Sequence, residues 1–104
     1  MNEAKFLARV LKILSVEARV QIVGLLKKRS MCVNALAEHL GMTQGAVSQH
    51  LRIMRDAGLL INDKQGYFVH YRLNDVTLEE WRIRVNRLLA PKQHPMDEHS
   101  CCQK

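Results

Sequence analysis

No run of about 18 consecutive apolar residues occurs in the 104-residue chain, so no segment is suited to cross a bilayer as a helix. The opening Met1-Asn2-Glu3-Ala4-Lys5 has no basic patch leading into an uninterrupted apolar stretch. A secretory signal is therefore not expected, and the cytoplasm is the expected compartment. There is no phosphate loop and no grouping of nucleophile, base and acid, and so short a chain leaves little room for a deep cleft; an enzyme is not expected. Cysteines number only 3, an odd count for intramolecular disulfides, in a compartment that keeps thiols reduced. Metal binding, redox sensing and plain burial remain open for them.

What is present is enough for one core and no more. Hydrophobic residues make up 47% of the chain, and the formal net charge of +6 favours an acidic partner, of which nucleic acid is the commonest.

The segment from Thr43 to Leu60 has a start signal, a stop signal and two unlike faces. At helical spacing Val47, Leu51, Met54 and Gly58 fall on one side, flanked by Ala46, Ile53 and Ala57. Gln44, Gly45, Ser48, Gln49, Arg52, Arg55 and Asp56 fall on the other. Amides, hydroxyls and guanidinium groups on an outward face are the types that read base edges in a major groove or hold phosphates. Thr43 is placed to cap the first turn, and Gly58 to stop the helix in the left-handed region. His50 points toward the packed side and is expected to be hydrogen-bonded there rather than to read bases. Just upstream, Val33–Leu40 is a shorter amphipathic helix closed by Gly41-Met42. Two helices joined by a turn of about three residues form a helix-turn-helix pattern, although an ordinary helical hairpin has the same spacing.

In chain order, residues 2–15 form a first helix with a wide apolar stripe (Phe6, Leu7, Val10, Leu11, Ile13, Leu14). The pattern breaks and restarts around Ser15-Val16-Glu17-Ala18-Arg19. A second helix follows, ending in Lys27-Lys28-Arg29, whose charge suits the negative helix end. After the helix-turn-helix, Leu59-Leu60-Ile61 and Tyr67–Leu73 flank the polar Asn62-Asp63-Lys64-Gln65-Gly66, a hairpin signal. A hairpin in this place reads either as a wing, with Lys64, Gln65 and Tyr67 touching backbone or minor groove, or as a purely structural element. Asp63 is expected to cancel part of the Lys64 charge.

Asp75, or Thr77 with Glu80 as a capping box, is expected to open the last helix. Its stripe of Leu78, Trp81, Val85, Leu88 and Leu89, with Ile83 off it, serves either the chain's own core or, with the first helix, a dimer seam. The fold class expected is mainly α with a β-hairpin wing (α+β), a winged helix-turn-helix in the order ααααββα, homodimeric through the first and last helices. Residues 1–90 form the domain, and 91–104 a flexible tail carrying His94, His99, Cys101 and Cys102.

This order of elements resembles the ArsR/SmtB family of winged-helix repressors, over about Ala4 to Ala90. The resemblance is carried by Leu14-Ser15-Val16-Glu17-Ala18-Arg19-Val20-Gln21-Ile22-Val23-Gly24-Leu25-Leu26 and by Gly45–Leu59, above all Ser48-Gln49-His50-Leu51. It implies a homodimer on a palindromic operator, released when a metal or metalloid binds. In arsenic-responsive members the resemblance implies a Cys-Val-Cys cluster at the start of the helix before the recognition helix. The matching residues are Cys32-Val33-Asn34, so one thiol is kept and the second is replaced by an amide. The site that zinc-responsive members carry on the last helix has no counterpart, because the Leu78–Leu89 stripe contains no histidine.

Three thiolates suit As(III) or Sb(III), and Cys101 and Cys102 supply the two that the cluster lacks. About ten tail residues span up to roughly 33–36 Å, enough to reach Cys32 of the same subunit or of a partner. His94 and His99 would suit Cd(II) or Zn(II) beside the thiols. The alternatives are a repressor of the same fold switched by a Cys32–tail disulfide, and, in another class, a winged helix that binds protein and not DNA. The DNA-reading residues expected are Gln44, Ser48, Gln49, Arg52, Lys64, Gln65 and Tyr67. Those for the ion are Cys32, Cys101 and Cys102.

Overall fold

A computed structural model describes residues 2–91 of the chain. Helix α1 (Glu3–Leu14) starts where the Asn2 side chain accepts the Lys5 N–H at 2.8 Å, and stops where the Ser15 hydroxyl donates to the Lys12 carbonyl at 2.8 Å. Then come α2 (Glu17–Leu26), a short strand β1 (Met31–Cys32), α3 (Val33–Leu40), α4 (Gln44–Asp56), strands β2 (Leu60–Gln65) and β3 (Phe68–Leu73), and α5 (Asp75–Leu89). Gly41 ends α3 in the left-handed region at φ 64°, which turns the chain into α4; Gly58, at φ 85°, does the same between α4 and β2. The architecture is the winged helix-turn-helix expected, mainly helical with a β-hairpin wing.

The order differs by one element. Met31-Cys32 pairs antiparallel with β3, Met31 opposite Tyr71 and Cys32 opposite His70, so the hairpin belongs to a three-stranded sheet in the order β1-β3-β2. The first hairpin strand is also longer than its apolar run indicates, while the second begins at Phe68, one residue after the expected Tyr67. β2 extends through Asn62, Asp63 and Lys64 to Gln65, which faces Phe68 across a turn at Gly66 and Tyr67. Pairing with β3 holds these polar residues in a strand that their own preferences do not favour.

α5 is capped neither by Asp75 nor by a Thr77–Glu80 box. The Asn74 side chain accepts the Thr77 N–H at 3.4 Å, because the extended backbone leaving β3 sets this residue at the mouth of the helix.

One core holds these elements together. Ile22 and Leu26 of α2, Leu36 of α3, Val47, Leu51 and Met54 of α4, Leu59, Leu60 and Leu73 around the sheet, and Trp81 of α5 are all buried, with Val10 of α1. The α5 stripe is split by this core. Leu78, Trp81 and Val85 pack inward, while Leu88 and Leu89 run past its edge and stay exposed. Ile83, expected off the stripe, is exposed alongside Val76. Arg84 ties α5 to α1: it pairs with Glu3 at 2.7 Å and stacks 4.3 Å from the centre of the Phe6 ring. No helix among the described residues is long and apolar enough to cross a membrane.

Candidate nucleic-acid interface and cysteine site

The Thr43 hydroxyl accepts the Ala46 N–H at 3.1 Å and fixes the start of α4. From there the 3.6-residue period divides the helix. Val47, Leu51 and Met54 are 0%, 1% and 0% exposed, whereas Gln44, Ser48, Gln49, Arg52 and Arg55 face out. Apolar burial on one side thus presents these polar side chains on the other. Ser48 and Arg52 line one groove with Arg55 and with Tyr71 of β3. Gln44 stands apart at the helix start, beside a recess shared with Asn34, Glu38 and Thr43.

Arg55 and Tyr71 are additions to the residues expected. Among the described residues Arg55 has only a loose pair with Asp56, at 3.7 Å. Nothing in the sequence around Tyr71 links it to α4; only the sheet brings the two together.

Lys64, Gln65 and Tyr67 lie at the wing tip and are exposed, Tyr67 almost completely at 99%. The expected cancellation of Lys64 by Asp63 does not occur, because Asp63 accepts from Arg72 of the facing strand at 2.6 Å. Diagonal strand neighbours lie within reach of a long side chain, and Arg72 takes the carboxylate. Lys64 makes no ion pair among the described residues, so the wing keeps its positive charge.

His50 sits partly buried on the flank of α4, and its Nδ1 accepts a hydrogen bond from Arg19 Nε at 3.2 Å. Burial, and then the Arg19 charge, hold its pKa below the ordinary histidine value. This partly buried, hydrogen-bonded place is the one expected.

Cys32 ends β1 and is the residue from which α3 starts. It is a free thiol, half-buried, at a small cavity of about 180 Å3 lined by Val33, Asn34, Tyr67, Phe68 and Val69. The wing residue Tyr67 and the candidate ion ligand Cys32 therefore share one cavity, which their distance in the sequence gives no reason to expect. Across the sheet Cys32, His70 and Asp63 stand in one row. His70 Nδ1 is buried with no hydrogen-bond partner among the described residues. The described residues contain no cluster of three or more side chains able to hold a metal ion. Cys101 and Cys102, with His94, His99 and the expected tail beyond Pro91, lie outside the described residues.

Comparison with known proteins fits this geometry. Residues 17–62, from the start of α2 into β2, match the model of the bacterial regulatory protein arsR family. The arsenical resistance operon repressor of Escherichia coli strain K12 is 43% identical over 79% of this chain and 78% of its own length. A solved structure described as a possible transcriptional regulator for arsenical resistance superposes with a TM-score of 0.66 at 33% identity, covering 81% of this chain and 96% of that one. The homodimeric winged helix-turn-helix DNA-binding domain of Mb0332 from Mycobacterium bovis superposes with a TM-score of 0.65 at 26% identity, covering 86% of each chain. The chain belongs to the arsR family of bacterial regulatory proteins: it is a winged-helix transcriptional regulator and not an enzyme.

Proposed function

We propose that the chain represses transcription by binding a palindromic operator as a homodimer, and releases it when As(III) or Sb(III) is held by the thiolates of Cys32, Cys101 and Cys102. The outer face of α4 carries the DNA half of this reading. Ser48, Gln49 and Arg52 stand exposed on a helix whose opposite face is sealed in the core, so they are presented rigidly to a major groove. Gln44 serves the phosphates, and Lys64, Gln65 and Tyr67 reach the flanking backbone or minor groove. Two copies place their α4 helices about one helical turn, roughly 34 Å, apart. The dimer is supported by the apolar residues left uncovered on α1 and α5, namely Leu11, Val76, Ile83, Leu88 and Leu89, which a second copy would remove from water.

Soft thiolates select soft ions, and the relative from Escherichia coli is an arsenical resistance operon repressor. The position of Cys32 gives an ion there two mechanical connections to DNA. One runs through α3 to α4, and the other through the pairing with His70 to the wing strand β3. A coupling of about 1–3 kcal/mol between ion and operator would weaken DNA binding about 5- to 150-fold.

The test is a fluorescence-anisotropy titration of reduced protein on DNA from its own promoter, alone and with arsenite, cadmium or peroxide. Release by arsenite is expected, with Cys32→Ser still binding DNA but no longer letting go. Release of Cys32→Ser by arsenite would remove that residue from the site, and a chain ending at Ser100 asks the same of the tail. Release by cadmium alone would favour a Cd(II) or Zn(II) site, and release by peroxide alone a disulfide switch. Failure to bind DNA in every state would overturn the reading of α4.

A further inference from the structure

The two sequence motifs most characteristic of this chain meet at one hydrogen bond. Arg19, in the first turn of α2, donates from Nε to Nδ1 of His50 on α4 at 3.2 Å, and from Nη1 to the Ile13 carbonyl at 3.2 Å. The Ile13 carbonyl belongs to the last turn of α1, where carbonyls have no partner within their helix and the helix end is negative. One guanidinium thus joins three helices. Its fixed fork suits this task, and a lysine ammonium does not reproduce it.

We propose that Arg19 is a positioning residue for operator recognition: through His50 it sets the roll of α4 relative to α1, and so the aim of Ser48, Gln49 and Arg52. The proposal rests on the operator reading given above. Val47, Leu51 and Met54 fix how deeply α4 sits and which face it buries, but apolar packing is non-directional and sets the rotation about the helix axis more coarsely than a hydrogen bond does. Side chains about 5–6 Å from that axis shift by about 1 Å for every 10° of roll. Good hydrogen bonds to bases tolerate only about 0.5 Å. A directional bond on the flank, one or two residues from the readers, supplies the missing constraint.

The bond requires the neutral His50 tautomer, protonated on Nε2, because Nδ1 accepts. A second proton would point an N–H at the guanidinium. Arg19 is the charged group acting on His50 from α2. The α1 group held by the same guanidinium is the neutral Ile13 carbonyl, and on α4 itself Arg52 and Arg55 face outward.

The experiment uses the full chain and a duplex selected from a random library by the wild-type protein, with thermal melts run beside every binding curve. Arg19→Ala and His50→Ala are each expected to lower affinity about tenfold at about pH 7.5, and the double variant to bind no worse than either single one. His50→Asn keeps an acceptor oxygen where Nδ1 stood; it is expected to bind within about twofold of wild type, since the directional bond survives. Wild-type affinity is expected to fall as pH drops below the ordinary histidine value of about 6.5, although protonation of other histidines raises net positive charge and works the opposite way. The His50→Asn profile is expected to lack this fall. If Arg19→Ala does not fold, the three proteins with His, Asn and Ala at position 50 decide alone. Wild-type affinity in His50→Ala, multiplying losses in the double variant, or one pH profile shared by wild type and His50→Asn would each overturn the positioning role while the operator reading stands. Absence of any selected duplex would overturn both.

Discussion

Helices α4 and α5 are both two-faced, yet their outer faces differ in kind. α4 turns amides, a hydroxyl and guanidinium groups outward and keeps Val47, Leu51 and Met54 inside. α5 has a single buried residue among those described, Trp81, and leaves Val76 80% and Leu89 72% exposed. Water satisfies the first surface until a nucleic acid replaces it, whereas the second gains by leaving water altogether. On the function proposed above, a regulator of this size separates its two recognition tasks by chemistry, with polar reading on one helix and apolar association on another.

Three substitutions probe that contrast, taken from the largest effect to the smallest. Leu51→Ala opens a cavity under α4, and is expected to cost about 3 kcal/mol of folding stability in denaturant or thermal unfolding, taking DNA binding down with it. Arg52→Ala, on the opposite face of the same helix, should change stability by no more than about 0.5 kcal/mol. Its operator affinity should nevertheless fall by about 1–3 kcal/mol, measured by anisotropy. Equal effects of the two changes would mean that α4 is not divided as described. Ile83→Asp is expected to weaken self-association about tenfold, near 1.4 kcal/mol, in sedimentation equilibrium, because a carboxylate would have to enter the apolar seam. An unchanged sedimentation profile would show that the exposed face of α5 is not the dimer surface.

Sequence periodicity revealed most of the helical frame. α3 runs over the expected Val33–Leu40, and Thr43, Gly41 and Gly58 cap and stop as their chemistry suggests. The flank position of His50 was also legible, since a residue's angle on a helix follows from its number. What escaped depended on pairing across the chain. Met31-Cys32 is too short for any period to register and is a strand only because β3 lies beside it. The partnership of Asp63 with Arg72, the approach of Tyr71 to Ser48 and Arg52, and the cavity shared by Cys32 and Tyr67 all arise from that same sheet. The α5 stripe divides for a related reason: a helical wheel orders residues around an axis but does not tell where the neighbouring core ends, so Trp81 meets the core while Leu88 and Leu89 run past it.

The sheet order β1-β3-β2 leaves β2 as an outer strand. Its free row of backbone groups is a template on which a second chain can add itself, and charged side chains along such a rim discourage that addition. Lys64 stands there, unpaired among the described residues, so it discourages edge pairing as well as offering, on the function proposed above, a charge to DNA. Replacing it with a bulky apolar residue would then deplete active protein by clumping and mimic a lost DNA contact, whereas glutamine would remove the charge and keep the rim polar.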